Sequence, residues 1–196
     1  MEVTVEQMLD DAYLASRAKL IDMRKAQDFG AGNPVKGGTI YLTAADENGM
    51  MISFIQSNYM GFGSGCVEPN FGISLQNRGH AFNVQANPAN LVAPGKRPFH
   101  TIIPAFLTKD GQPVMSYGVM GANMQPQGHM QTLVRMQDYQ QNPQMACDAP
   151  RWRYNAGLEI NVEQQMNKAT VQGLAERGHV MEVINDNYQD FGAGQF

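Results

Sequence analysis

Apolar residues at the start of the chain recur at helical spacing. The stripe runs from Val5 to Ile21, and this period is typical of an amphipathic helix. Thr4 followed three residues later by Gln7 resembles a capping box. The pattern therefore predicts a first helix that ends near Ala26.

The pattern changes after a stretch that is dense in glycine, asparagine and proline. Residues 29–38 are predicted to form an exposed linker, so a boundary falls just before Thr39. Beyond it, short apolar runs are joined by Asn-Gly and Asp-Gly turns, which favour β-hairpins. The predicted strands are Thr39–Asp46 with Met50–Ser57, a short strand Gly72–Gln76, and Thr101–Leu107 with Pro113–Met120.

Two helices are predicted after the second hairpin. They cover about 127–141 and 163–177, and the second ends near Gly173 or Gly178. Strand pairs followed by helices indicate an α+β layered domain.

Composition and charge narrow the classes of function. The 196 residues are 43% hydrophobic and 16% charged, with a formal net charge of −4, which is typical of a globular domain and gives no electrostatic reason to expect nucleic acid or a membrane as partner. No apolar run approaches the roughly 20 residues that span a bilayer. The acidic N-terminus lacks the profile of a secretory signal, which slightly favours a cytoplasmic location.

Common catalytic and ligand-binding motifs are not found. Cys66 and Cys147 lie far apart without metal-ligand spacing and are interpreted as two ordinary buried thiols, although one disulfide stays possible. Gly61–Gly65 lacks the Lys-Ser/Thr ending of a phosphate-binding loop and indicates a sharp turn or a plain loop. The four histidines, without a nucleophile elbow, are interpreted as surface or hydrogen-bonded residues. We expect neither a metal nor a cofactor.

The junction Gly37-Gly38-Thr39 admits a specific chemistry. Cleavage before Thr39 would place its α-amine beside its own hydroxyl. A free α-amine has a pKa of about 8, so a neutral base would be available near neutral pH to activate that hydroxyl. From these residues alone, however, Thr39 is simply the first residue of a strand.

Five short segments, taken together, are more specific than the Gly37-Gly38-Thr39 junction alone. They comprise a strand-opening Thr with Asp-x-x-Gly at the strand end, a Phe-Gly-Ser-Gly turn, a Gly-Ile strand, a Pro-x-Lys-Arg-Pro segment and an Asp-Ala-Pro-Arg segment. These are Gly38–Gly49, Phe62–Gly65, Gly72–Asn77, Pro94–Pro98 and Asp148–Arg151. In this order they resemble the small, catalytic subunit of the γ-glutamyltransferase family, over nearly all of residues 38–185.

The resemblance implies the αββα sandwich of N-terminal-nucleophile hydrolases, of which this chain would be the catalytic half. It implies cleavage at Gly38–Thr39, with residues 1–38 as the C-terminal tail of the large-subunit region (helix plus linker) and residues 39–196 as the small-subunit catalytic region. Thr39 would be the nucleophile, and Ser57 would stand where the family has a supporting Thr. The backbone N–H groups of Gly121 and Ala122 would receive the oxyanion, in place of a Gly-Gly pair.

Departures from the family concern substrate recognition. Tyr59 stands where the family has an Asn that helps to hold the glutamyl group, and His100-Thr101 replaces a Ser-Ser pair that contacts the α-carboxylate. Arg78 and Ala81 replace the Gln and Asp that hold the glutamyl α-amine. A unit charge pair at 4 Å is worth about 4 kcal/mol at an effective dielectric of about 20, so Arg78 would oppose a γ-glutamyl substrate. Arg78 and His100 instead suit an anionic acyl group without an amine.

Three interpretations follow. The first is a γ-glutamyltransferase-like amide hydrolase or acyltransferase, acting on a γ-glutamyl or related small-molecule amide. The second is an acylase of the cephalosporin-acylase type with a non-glutamyl acyl substrate. The third is an unprocessed, inactive fragment that self-associates. Because most of the large-subunit region is absent, surface meant for it would stay exposed, and we expect a homodimer or larger assembly. Exported family members would suggest a periplasmic or secreted location instead.

Overall fold

A computed structural model of the chain describes residues 10–27, 38–85, 88–185 and 191–196. Helix α1 spans Asp11–Ala18, and Asp10 caps its start because its Oδ1 accepts the Tyr13 N–H at 2.7 Å. The prediction that this helix continues to about Ala26 is wrong, since no helix is present from 19 to 26. The predicted capping box at Thr4 and Gln7, and residues 29–37 of the linker predicted at 29–38, lie outside the described residues. Gly38, the last residue of that linker, belongs to a strand instead.

The first predicted hairpin is confirmed. Strand β1, Gly38–Ala45, pairs antiparallel with β2, Met51–Tyr59. Asp46 fixes the turn, because its Oδ1 accepts the N–H groups of Asn48 and Met50 at 2.9 and 2.8 Å. Gly49 supplies the left-handed residue of this turn, with φ +83°.

A second antiparallel sheet lies against this hairpin, with strand order β10-β6-β5. It contains β5, Ala105–Lys109, β6, Gln112–Val119, and β10, Gly194–Gln195. The predicted strand at 101–107 therefore begins four residues later than expected. Tyr41 is only 2% exposed and approaches Gly118 so closely that a Cβ there would lie 2.7 Å from its ring. Glycine thus permits the two sheets to meet.

A third sheet, with order β7-β8-β9, was not predicted. It is formed by β7, Trp152–Tyr154, β8, Glu159–Glu163, and β9, Val180–Ile184. Strands β8 and β9 are parallel, and the crossover between them contains a helix, Lys168–Glu176. The predicted helix at 163–177 is therefore wrong at its start, because residue 163 ends a strand and Asn167 caps the helix through its side chain.

Two further helices complete the core. Helix α2 spans Met124–Gln137, and helix α3 spans Pro143–Asp148. The crossover helix Lys168–Glu176 described above is helix α4. Helix α2 was predicted at 127–141 and begins and ends three to four residues earlier. The largest fully buried side chains are Tyr41, Phe191, Met124, Gln125, Val119, Val162 and Thr132.

The segment between the first two sheets is mostly irregular. It contains two short paired strands, β3 at Val67–Glu68 and β4 at Ile73–Ser74, and two short 3-10 helices at Arg78–Ala81 and Pro88–Asn90. Cys66 and Cys147 are both free thiols. The interpretation of both as buried is wrong for Cys66, which lies exposed beside β3, and Cys147 is only partly buried.

The α+β class predicted from the sequence is confirmed. Within the described ranges, no helix has the length and apolar character needed to cross a membrane. The same ranges hold no cluster of three or more His, Cys, Asp or Glu side chains suited to a metal ion.

Candidate active site

Thr39 lies at an irregularity in the first hairpin. The register pairs Gly38 with Tyr59 and Ile40 with Gln56, so one residue of β1 faces two residues of β2. Such a β-bulge bends the strand and changes the direction of the side chain at that point. The bond between Gly38 and Thr39 is therefore placed at the one irregular step of an otherwise regular pair of strands.

Two side chains contact the Thr39 hydroxyl. Oγ1 of Thr39 donates to Oγ of Ser57 at 3.1 Å. It also accepts a hydrogen bond from Nε2 of Gln125 at 3.4 Å. Ser57 Oγ is itself held by the backbone N–H of Tyr59 at 2.9 Å. The oxygen predicted to be the nucleophile is thus fixed by a hydrogen bond that it donates to β2 and one that it accepts from helix α2.

Gly121 and Ala122 form a tight turn between β6 and helix α2. Both have positive φ, +128° and +52°. The turn is closed by Met124 N–H to the Gly121 carbonyl at 2.9 Å and by Thr101 Oγ1, which donates to the Ala122 carbonyl at 2.8 Å. Within the described ranges, neither N–H of Gly121 nor that of Ala122 has a backbone acceptor. The turn lies at the N-terminus of α2, where the helix dipole favours negative charge.

Tyr59 lies between Ser57, which contacts Thr39, and Arg78. Its φ is +76°, which is rare for a bulky residue, and its side chain is buried. The Arg78 guanidinium lies over the Tyr59 ring, with 5.4 Å from Cζ to the ring centroid. Partial burial lowers the pKa of Arg78, although an arginine stays charged at neutral pH. A continuous chain of contacts therefore connects Thr39 through Ser57 and Tyr59 to Arg78.

His100 completes a group of positive or potentially positive side chains. Partial desolvation lowers the pKa of His100, and the positive charges of Arg78 and Arg97 lower it further. Within the part of the chain that the structure describes, the only salt bridge joins Arg151 and Glu163, so Arg78 has no carboxylate partner there. Ala81 ends the 3-10 helix that carries Arg78, and its carbonyl accepts from Asn90 Nδ2 at 2.7 Å.

Gln125 was missed by the sequence analysis. Its side chain is 2% exposed, and its Oε1 accepts the Ile103 N–H at 3.2 Å while its Nε2 contacts Thr39. The available signal was its position, four residues after Gly121 and at the start of α2. The predicted helix began near residue 127 and so left Gln125 in a loop.

His129 is hydrogen-bonded, in agreement with its interpretation from the sequence. Its Nδ1 contacts the Gln125 carbonyl at 2.5 Å and its Nε2 accepts the Val119 N–H at 3.1 Å. Because the carbonyl only accepts and the N–H only donates, the ring is the neutral tautomer with the proton on Nδ1. Burial lowers the pKa of His129, opposed in part by its hydrogen bond to Gln125.

The C-terminal residues lie against the Gly121 turn. The Met120 N–H donates to the Ala193 carbonyl at 2.8 Å, and a Cβ at Gly121 would lie 3.3 Å from Gly192 Cα. Arg151 holds this segment, because its Nη1 donates to the carbonyls of Phe191 and Gly192 at 2.8 and 3.0 Å.

The chain is similar over most of its length to two curated proteins and to one solved structure. The chain is 37% identical over 190 residues to the glutathione hydrolase-like YwrD proenzyme of Bacillus subtilis (94% of this chain, 36% of that protein). It is 36% identical over 191 residues to the oxamate amidohydrolase proenzyme of Klebsiella pneumoniae (95% and 36%). Among solved structures, a cephalosporin acylase from Bacillus halodurans superposes with a TM-score of 0.89 at 49% identity, covering 99% of this chain and 35% of that chain.

The chain thus spans about a third of the length of the relatives it matches (36% of each curated protein named above). At 21% identity, a gamma-glutamyltranspeptidase from Pseudomonas nitroreducens shares the fold, with a TM-score of 0.66 over 79% of this chain and 84% of that one. The predicted N-terminal-nucleophile hydrolase fold is confirmed by these structures. A model of the gamma-glutamyltranspeptidase family matches residues 1–196, and the chain therefore belongs to this family.

Proposed function

We propose that this chain carries the catalytic half of an amide hydrolase or acyltransferase in which Thr39 becomes an N-terminal nucleophile after cleavage of the Gly38–Thr39 bond. The observation that carries the proposal is the double hydrogen bonding of Thr39 Oγ1, by Ser57 at 3.1 Å and Gln125 at 3.4 Å, at a bulge in β1. Residues 1–38 are then the tail of the large-subunit region.

Cleavage of the Gly38–Thr39 bond uses the Thr39 hydroxyl and one water molecule. Thr39 Oγ1 attacks the Gly38 carbonyl carbon, and the C–N bond breaks as the hydroxyl proton is transferred to the amide nitrogen of Thr39. This gives an ester between Gly38 and the threonine oxygen. Water then hydrolyses the ester, which leaves a Gly38 carboxylate and a free Thr39 amine. Gly38 has no side chain to hinder the approach.

Turnover uses the amine that cleavage creates. With a pKa of about 8, a free α-amine is partly neutral at pH 7 and can accept the hydroxyl proton of the same residue. Thr39 Oγ1 then attacks the carbonyl carbon of the substrate amide. The C–N bond breaks as the protonated Thr39 amine passes its proton to the leaving nitrogen, which departs as an amine and leaves an acyl-enzyme. Water or an acceptor amine then attacks the ester and releases Thr39 Oγ1.

We assign the oxyanion donors to the backbone N–H groups of Gly121 and Ala122. The lack of a backbone acceptor for either group within the described ranges supports this. Their place before the first turn of α2 adds the positive end of the helix dipole. One such donor is worth about 2.7–4 kcal/mol in comparable sites.

For the acyl group, we propose a carboxylate-bearing chain without an α-ammonium. Arg78 supports this, because it is half-buried, has no carboxylate partner in the described ranges, and connects through Tyr59 and Ser57 to the nucleophile. A partly buried cation without a counter-ion favours an anionic ligand. The amidohydrolase relative from Klebsiella is named for oxamate, a small anionic amide.

Two substrates that differ only in the α-amine test this acyl preference. We expect glutaryl-p-nitroanilide to be hydrolysed with a higher kcat/KM than γ-glutamyl-p-nitroanilide. Arg78→Gln should raise KM for the glutaryl compound, and Arg78→Lys should raise it less because the charge is kept. A clear preference of the wild-type protein for the glutamyl compound would refute the assignment.

The nucleophile itself is tested with two Thr39 variants. Thr39→Ser keeps a hydroxyl and should retain cleavage and amide hydrolysis at reduced rates. Thr39→Ala should abolish both. Retention of hydrolysis in Thr39→Ala would contradict the proposal.

We propose that the outer face of the β1–β2 hairpin is covered by the large-subunit region, or by a second copy of this chain when that region is absent. Ile40 is 70% exposed on this face, and Leu42, Ile52 and Phe54 are exposed beside it. Light scattering of the purified chain should therefore show a dimer or larger assembly. A monomer at micromolar concentration would count against self-association.

A further inference from the structure

We infer that Gln125 is the hydrogen-bond donor that orients and polarises the Thr39 oxygen, an inference that rests on the proposed function. The Gln125 side chain bridges two parts of the site. Nε2 lies 3.4 Å from Thr39 Oγ1, and Oε1 accepts the Ile103 N–H at 3.2 Å. The side chain is 2% exposed, so water does not compete for these contacts.

The orientation of the Gln125 amide is determined by its partners. A backbone N–H can only donate, so the group that faces Ile103 must be the carbonyl oxygen. The NH2 group then faces Thr39 and can only donate to its oxygen. Since Thr39 Oγ1 accepts from Gln125, its own hydrogen is directed to Ser57 Oγ. The hydroxyl is thereby held in one rotational state.

The backbone of Gln125 is fixed as well. Its carbonyl contacts Nδ1 of His129, whose Nε2 accepts the Val119 N–H. Its own N–H donates to the Ala122 carbonyl at 3.1 Å. Gln125 is therefore bonded both to the Thr39 oxygen and to the turn that holds the proposed oxyanion donors.

This placement has a chemical consequence. When Thr39 attacks a carbonyl carbon, its oxygen loses a proton and carries partial negative charge on the way. An N–H donor on that oxygen stabilises this charge, and the stabilisation is larger in a buried site than in water. Loss of a hydrogen bond to a charged group corresponds to a rate reduction of about 10- to 100-fold.

The chain offers a matched control on the same helix. Gln131 is 5% exposed and also makes two side-chain hydrogen bonds, to the Trp152 carbonyl at 2.8 Å and from the Trp152 N–H at 3.1 Å. It contacts β7 rather than Thr39. Gln125→Met and Gln131→Met thus remove the same groups from similar burial, and both should lower the melting temperature.

The two variants should differ in the rate of cleavage at Gly38–Thr39, which mass spectrometry measures. We expect Gln125→Met to be cleaved about 10- to 100-fold more slowly than Gln131→Met. Cleavage of the two variants at rates within about twofold would overturn the inference. An unbroken wild-type chain would instead overturn the proposed function, and the inference with it.

Gln125→Glu adds a signature that a purely structural role would not produce. The glutamate still accepts the Ile103 N–H, but when ionised it presents an acceptor to the Thr39 oxygen. When protonated it can donate again, and burial raises the pKa of such a carboxyl. Relative to wild type, the cleavage rate of Gln125→Glu should therefore rise as the pH is lowered from about 8 to about 5. A ratio that does not change with pH, or one that changes equally in Gln131→Glu, would overturn the inference.

Discussion

The side-chain hydroxyl of Thr39 donates a hydrogen bond of 3.1 Å to Ser57 Oγ, at the bulge in the pairing of β1 with β2. Ser57 Oγ also accepts the Tyr59 N–H at 2.9 Å. One serine oxygen therefore orients the proposed nucleophile and satisfies the backbone of a residue with φ +76°. Position 57 links cleavage chemistry to local stability.

Removal of this oxygen should affect both properties. Ser57→Ala leaves the partly buried Tyr59 N–H without its partner, and we expect the free energy of unfolding to fall by about 1–3 kcal/mol. Cleavage at Gly38–Thr39 should slow, because the Thr39 hydroxyl loses its acceptor. Chemical denaturation and cleavage time courses measure the two effects. Ser57→Thr keeps the hydroxyl and serves as the control, and equal cleavage in Ser57→Ala would contradict the assigned role.

In the Gly121–Ala122 turn, we expect glycine at position 122 to preserve the structure and a side chain at position 121 to disrupt it. Gly121 has φ +128°, and an added Cβ would lie 3.2 Å from Met124 Cβ. Gly121→Ala should therefore lose stability by about 1–3 kcal/mol and lose cleavage. Ala122 has φ +52°, so Ala122→Gly keeps the N–H in an easier conformation and should retain cleavage. Wild-type behaviour of Gly121→Ala would exclude this geometry of the turn.

The buried Arg151–Glu163 pair should stabilise the C-terminal segment. Its two charged groups lie 2.6 Å apart and are nearly inaccessible to solvent, and Arg151 also holds the carbonyls of Phe191 and Gly192. Arg151→Met leaves Glu163 buried without its partner and should cost about 3–5 kcal/mol. Denaturant titration measures this loss. A cost below about 1 kcal/mol would show that the pair and the segment it holds are not coupled to the fold.

Stability should fall in mildly acidic solution because of His129. Burial lowers its pKa in the folded chain, whereas in the unfolded chain it titrates near about 6.5. As the pH falls below that value, the unfolded chain binds more protons, so the free energy of unfolding decreases. Thermal denaturation between about pH 7 and 5 should show a smaller decrease for His129→Gln than for the wild-type chain. Equal decreases would show that His129 does not contribute.

The first two hairpins could be predicted from the sequence because turn chemistry is local. Asp46 and Gly49 determine the first turn through a side-chain acceptor and a left-handed φ. Strands β8 and β9 could not be predicted in this way, because a parallel pair depends on contacts across a crossover rather than on neighbouring residues. The end of α1 was placed too late, since a periodic stripe does not by itself locate a terminus.

The site residues also divide into those that the sequence could indicate and one that only the folded structure reveals. A family resemblance selected eight site residues, and the structure brings them into one region. They are Thr39, Ser57, Tyr59, Arg78, His100, Thr101, Gly121 and Ala122. Their roles stay predictions. Gln125 could not be found by that route, because its contact with Thr39 joins residues 86 positions apart. The contact forms because α2 packs on β6, which itself lies against the first hairpin.

Intact-mass spectrometry of the purified chain during incubation tests the central claim most directly. We predict that the mass of residues 1–196 is replaced by two species that divide between Gly38 and Thr39, and that Thr39→Ala keeps one unbroken mass. A wild-type chain that stays unbroken, or a Thr39→Ala chain that is cut at the same bond, would contradict the account.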